Sequence, residues 1–440
     1  MSYPDKAATQ QAKQDMLKLN YNEDIGPGIE YIKSFEQSSP FADKLTERAI
    51  HLGYSGNPKN AEDLREFLLN FLCSEPGIIN DENIRTWKNN LRNWLFPHKD
   101  APAPMIPKKR EIVYQLCFAL RMNMSEAGEF FVKGYLEEPF NFKVLRESVY
   151  CYCLNNGLRY LDAAELYLKA QSIPSNDAFA PETDTATIGR MVSESHDEQA
   201  FLSYVRLNRS SFETHATTAQ TMVLQIINEC LPYATDDCNL HNSTEYQDAI
   251  GKRDDRVEND NGTNPNINFQ IKKVEQVSIS NAESLISVIY GYYARDVHQY
   301  DGKKNSSIAA SLSKDSLFPK LIRERMVCNA MHLSQIRNGK APNWLLRSAL
   351  ILFNFYHFFM QAKKADCTNA RALFEEFVDE MDSKLLACGF GQLYWRNPYD
   401  WMIGYCALAP DPVDELRYLI DVFFLDAISD DPEYTLPKLT

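Results

Sequence analysis

Apolar residues recur every three or four positions through most of this 440-residue chain, the spacing of a helix that buries one stripe. Residues 41–52 carry Leu45, Ala49, Ile50 and Leu52 in that register, and residues 61–73 continue it with Asn60 placed as a cap. Pro76 and Gly77 mark a turn, after which Asp81 stands where a cap is needed for a helix over residues 83–95. There Ile84, Trp87, Leu91, Trp94 and Leu95 share one stripe, leaving Arg85, Lys88, Asn89 and Arg92 opposite. A connection through Pro97, Pro102, Pro104 and Pro107 leads to a further amphipathic stretch, residues 110–122, with Ile112, Val113, Leu116, Cys117, Leu120 and Met122 on its apolar side.

The helical period continues to the end of the chain without a convincing strand, so the expected fold class is all-α. Ser125 is placed to cap a helix to about residue 136, and residues 144–154 and 160–170 read as a hairpin around Asn155, Asn156 and Gly157. Further helices are expected over residues 197–207, 214–231, 282–293, 317–327, 344–362 and 369–387. Asp197, Thr368, Asn397-Pro398 and Asp411-Pro412 stand at helix starts, and Gly389 stands at an end. Residues 1–38 are polar and read as a short helix plus an irregular lead-in, with Gly26, Pro27 and Gly28 breaking any continuous pattern. Residues 236–273, rich in Asn, Asp and Gly, read as a mobile linker or long loop. The expected domains are therefore 39–140, 141–235 and 274–440.

A hydrophobic content of 44% is enough for real cores, while a formal net charge of −14 argues against a general nucleic-acid coat. Cationic function must be local. Between residues 83 and 110 there are seven Lys or Arg residues and one acid, Asp100, a basic island in an acidic chain. The first residues lack the apolar core of a secretory signal, and the longest apolar run, residues 348–360, is too short to span a bilayer. The chain is expected to be cytoplasmic, with no membrane partner. Ten cysteines show no CxxC pair or metal-ligand spacing, so reduced thiols and no metal are expected.

The succession of two helices, a turn, the polar-faced helix at 83–95, the connection, and then a helix ending in FALRMNMSEA resembles the lambda-repressor or Cro-type helix-turn-helix family over about residues 40–137. The resemblance implies an N-terminal helix-turn-helix-like bundle, followed here by helical hairpins and a C-terminal helical domain. In such a module the third helix enters the major groove. It implies DNA contacts from Arg85, Thr86, Lys88, Asn89 and Arg92, with Lys108, Lys109 and Arg110 beyond. Double-stranded DNA would be the partner, bound by a homodimer, and the C-terminal domain would sense a signal or bind another protein. An alternative placement makes residues 110–122 the first motif helix and 125–135 the recognition helix, with Asn123 left-handed between them. The acids Glu126, Glu129, Glu137 and Glu138 would then face phosphate and repel it. A weaker echo lies at residues 332–353, where Ser334, Gln335, Arg337 and Lys340 precede the most apolar helix; a plain turn at Gly339 accounts for it.

The rival to a DNA-binding regulator is a helical protein-interaction adaptor whose basic island meets an acidic surface. No HExxH, GxSxG, glycine-rich phosphate loop or kinase signature is present, so no cofactor and no enzymatic activity are expected. His196-Asp197-Glu198 reads as a helix start. Phe353, Phe355, Tyr356, Phe358 and Phe359, with Tyr394, Trp395, Tyr399 and Trp401, read as packing between two C-terminal helices.

Overall fold

A computed structural model describes residues 6–18, 26–37, 39–97, 104–107, 109–174, 185–212, 215–241, 282–290, 319–327 and 330–428. The protein is all-helical, with no strand among these residues. It divides into two compact units, Met1–Ala219 with Asp379–Met402, and Gln220–Val378 with Ile403–Thr440.

The first unit begins with α1 (Lys6–Lys18) and α2 (Gly26–Gln37). Gly26, Pro27 and Gly28 open α2 rather than interrupt a lead-in, because proline is tolerated in a first helical turn, where its missing N–H is no loss. Met16 and Ile32 are buried, and Tyr31 packs against Trp401 at 4.3 Å between ring centroids. Next come α3 (Pro40–His51), α4 (Ala61–Ser74) and α5 (Ile84–Leu95), which pack against one another, then α6 (Arg110–Ala119). Asn60 caps α4 by accepting from the Glu62 and Asp63 amides. The short helix α7 (Met124–Phe130) runs into a π-helical turn, Phe131–Tyr135, that packs on α3.

Two expectations about the α6–α7 turn are corrected. Asn123, not Ser125, caps α7, exchanging hydrogen bonds with Glu126 in a capping box. The left-handed residue is Arg121, at φ +52°, not Asn123. Arg48 of α3 clasps the turn, donating to the carbonyls of Leu120 and Arg121 and to Glu126 at 2.6 Å.

Helices α8 (Leu145–Asn155) and α9 (Tyr160–Gln171) form the expected hairpin, turned by Gly157 at φ +66°. Helix α10 (Thr185–Glu194) packs on α8 and α11 (Glu198–Leu207) on α9. Asp197 caps α11 through the Ala200 amide. The side of α10 at Gly189 lies so near Phe142 that a Cβ there would sit 2.7 Å from the ring. One apolar core is continuous from Phe41 to Phe212, so no break in packing falls at residue 140. The segment 379–402 closes the unit: Tyr394 donates to the Val132 carbonyl and Asn397 to that of Leu136, both at 3.0 Å.

The second unit takes most of α12 (His215–His241), then α13 (Ala282–Ile289), α14 (Lys320–Arg323), α15 (Ala330–Arg337) and α16 (Asn343–Lys364). Helices α17 (Ala370–Ala387) and α18 (Pro398–Ala407) contain the division points, and α19 (Pro412–Ile428) packs on α16. Gly339, at φ +64°, forms the turn between α15 and α16. The expected linker begins too early at residue 236, since Asp237 is a buried member of α12 that accepts from Tyr356 and Arg417. Residues 242–273 lie outside the described residues. The aromatic cluster is also divided. Phe355, Phe358 and Phe359 gather on Phe377 in the second unit, whereas Tyr394, Trp395, Tyr399 and Trp401 belong to the first.

Candidate nucleic-acid interface

Helix α5 is shaped by its inward stripe. Trp87, Leu91, Trp94 and Leu95 are buried, with Trp94 edge-on to Phe41 at 6.0 Å and to Trp87 at 5.9 Å. Burying two indoles and two leucines stabilises the helix by several kcal/mol at roughly 1.5–3 kcal/mol per large apolar side chain, which offsets the modest helix propensity of Thr, Trp and Asn. Its start is locked by a reciprocal pair in which each of Asn80 and Asn83 accepts the other's amide at 2.9 Å, while Asn83 Nδ2 donates to the Ile78 carbonyl. Asp81, expected to cap this helix, is exposed and the cap position is Asn83. The preceding turn is tied to α9: Glu75 Oε1 accepts the Tyr160 amide at 2.8 Å, and Arg159 donates to the Ser74 carbonyl at 3.1 Å. At the far end the Met105 amide returns to the Asn93 carbonyl at 2.7 Å, and Pro107 is buried.

With those anchors inward, Arg85, Thr86, Asn89 and Arg92 stand exposed on the opposite side. Arg85 and Arg92 form no ion pair among the described residues. Lys88 lies 3.6 Å from Glu66 of α4, each side chain a little over two-fifths exposed; such a pair contributes about 0–1 kcal/mol, so Lys88 is held loosely. The helix therefore presents two guanidiniums, an ammonium, an amide and a hydroxyl from a rigid base. These are donors suited to phosphate oxygens and base edges.

The rest of the basic island does not join them. Lys109 is exposed just before α6; Lys108 lies outside the described residues. Arg110, expected on the interface, turns inward instead. Its guanidinium binds Glu147 at 2.8 Å and Glu137 at 2.7 Å, and donates to Tyr114 Oη and the Pro139 carbonyl at 3.2 Å. Burial by itself disfavours the Arg110 charge, but Glu147, Tyr114 and Glu137 outweigh it and push its pKa well above the ordinary value. Glu147 also accepts from Tyr114 and from the Asn141 amide, so Arg110 is bonded on every side and unavailable to phosphate. Glu66 is the residue that the sequence pattern missed on this surface. It lies on a different helix, and only the packing of α4 on α5 brings it beside Lys88.

The described cysteines are free thiols, and burial pushes Cys151 up to about 12, leaving it protonated and inert. No cluster of His, Cys, Asp or Glu among the described residues is placed to hold a metal ion, and none of their helices is long and apolar enough to cross a membrane. No protein-family model matches the chain, and no curated protein or solved structure matches it.

Proposed function

We propose that the protein is a sequence-specific duplex-DNA-binding regulator that reads the major groove with α5, as in a lambda-repressor or Cro-type module, and that it acts as a homodimer. The observation that carries this reading is the two-faced helix: Arg85, Thr86, Asn89 and Arg92 exposed on one side, two buried tryptophans on the other. Arginine pairs with guanine O6 and N7 and asparagine with adenine N6 and N7, each good pairing discriminating by about 1–3 kcal/mol. Lys88 and Lys109 would serve phosphates, with Lys88 leaving a weak partner to do so. Reading a two-fold operator requires two copies one helical turn apart, which is the reason for the dimer. The second unit would then sense a signal or hold a partner.

The adaptor reading draws on one observation, the Lys88–Glu66 pair, because a mixed-charge face suits a protein surface better than a polyanion. A gel-shift titration separates the two, using wild type and the Arg85→Ala, Lys88→Ala, Arg92→Ala triple variant against duplexes selected from a random pool. The DNA reading expects tight wild-type binding at low salt. It also expects the variant to be weaker and the salt slope to fall by about 0.9 for each phosphate no longer neutralised. Equal binding by a folded variant, or no duplex bound by either protein, would falsify it and favour the adaptor.

A further inference from the structure

The C-terminal ends of α4, α6 and α8 and the turn leading into α9 line a groove of about 700 Å³ in the first unit, within the roughly 300–1,000 Å³ typical of small-ligand sites. Its apolar surface comes from Phe71, Phe118, Leu154 and Leu158, of which Phe118 and Leu154 are buried floor and Leu158 is exposed rim. Three charged residues line it. Arg159 and Glu75 are committed to the fold, since Arg159 bonds the Ser74 carbonyl and lies 3.5 Å from Glu75, which also holds the Tyr160 amide.

Arg121 is different. Its side chain is exposed and has no hydrogen bond or ion pair among the described residues; its guanidinium rests 5.7 Å from the centroid of the Phe71 ring. Its backbone is the left-handed residue that closes α6, with the Arg121 amide bonded to Phe118 and the Met122 amide to Cys117. Glycine is the usual occupant of that place, because a Cβ there meets the following carbonyl. An arginine thus occupies a position where glycine folds better, and the contact its charge makes there is with the face of Phe71, not with a carboxylate among the described residues. Strained backbone of this kind concentrates at ligand sites.

We propose that this groove binds a small amphipathic organic anion, an aromatic or aliphatic carboxylate whose apolar part lies on Phe71, Phe118, Leu154 and Leu158 and whose carboxylate pairs with Arg121. Inorganic phosphate has nothing to place on the apolar floor, and a polyphosphate would meet Glu75 with one uncommitted cation to bind it. A monoanion with a hydrophobic body satisfies both halves. The proposal does not rest on the reading of α5.

The test is a fluorescence titration of the full chain with 8-anilinonaphthalene-1-sulfonate, an aromatic anion, and with neutral N-phenyl-1-naphthylamine. Variants are Arg121→Gly, Arg121→Lys and Leu158→Glu. Wild type is expected to bind the anion saturably at one site, displaced by 4-phenylbutyrate or decanoate and not by inorganic phosphate. Arg121→Gly should keep or raise the melting temperature yet weaken the anion by about tenfold, the loss of one charge-assisted hydrogen bond, while the neutral probe changes by less than about twofold. Arg121→Lys should retain most anion binding, and Leu158→Glu should weaken both probes. Unsaturable binding, no displacement by the carboxylates, or unchanged anion affinity in a folded Arg121→Gly protein would overturn the proposal.

Discussion

Arg92 and Arg110 come from the same basic stretch and end in opposite environments. Arg92 stands exposed on α5, with Trp87 and Trp94 holding the far side of its helix. Arg110 opens α6 and is gripped by Glu137 and Glu147, carboxylates 27 and 37 residues further along the chain. Side-chain chemistry is identical in the two places, so charge does not decide the role; the elements that fold against each residue do. Where neighbouring helices bring only apolar side chains to the inner face, the cations stay outside and available. Where they bring acids into a partly buried space, the cation becomes internal structure.

The largest effect should follow from breaking the buried side of this comparison. Replacing Glu147 with Ala leaves Arg110 confined without its bidentate partner and strips an acceptor from Tyr114 and from the Asn141 amide. A destabilisation of about 3–5 kcal/mol is expected for one member of a buried pair, measured as the shift in urea midpoint. A loss below about 1 kcal/mol would show that water reaches Arg110 freely.

An intermediate effect concerns pH. Burial first, and the Glu147 carboxylate second, push Tyr114 well above the ordinary tyrosine value of 10.0. Its folded form keeps the proton while the unfolded chain loses it, so the contribution to stability is fully present below about pH 10 and is lost as pH rises toward the folded value. Stability should decline above pH 10 by up to about 1.4 kcal/mol per pH unit for this group. Tyr114→Phe should make that decline shallower. Urea midpoints at pH 8, 10 and 11 provide the check, and parallel wild-type and Tyr114→Phe curves would exclude Tyr114 as a contributor.

The smallest effect on stability is expected on the exposed side. Arg85→Ala and Arg92→Ala should each change unfolding free energy by no more than about 0.5 kcal/mol, whatever they do to DNA affinity. A loss above about 1 kcal/mol for either would mean that the outer face of α5 is part of the packing.

Much of the local structure was legible in the sequence because its causes are local. The apolar stripe of α5, the Asn60 cap, the turn at Gly157, the Asp197 cap and the start at Asn397-Pro398 follow from period, hydrogen-bonding side chains and backbone freedom within a few residues. The misreadings share another cause. Asn83 replaces Asp81 at the head of α5 because Asn80 and Ile78 complete its hydrogen bonds. Arg121, not Asn123, takes the left-handed position because the carbonyls of α6 and the clasp of Arg48 fix the turn there. Neighbouring aromatic-rich segments, read as one cluster, belong to two units because segment 379–402 joins the first.

Taken alone, the sequence determined that this chain is all-helical, where most helices lie, and which face of α5 is apolar, since a 3.6-residue period writes burial directly into residue spacing. Tertiary structure alone decided that Arg110 is internal while Arg92 is not, that Glu66 stands beside Lys88, and that Phe71, Phe118, Leu154 and Arg121 share one groove. Those outcomes depend on pairings between residues tens of positions apart, and a pairing leaves no mark at either position until the helices carrying both have packed.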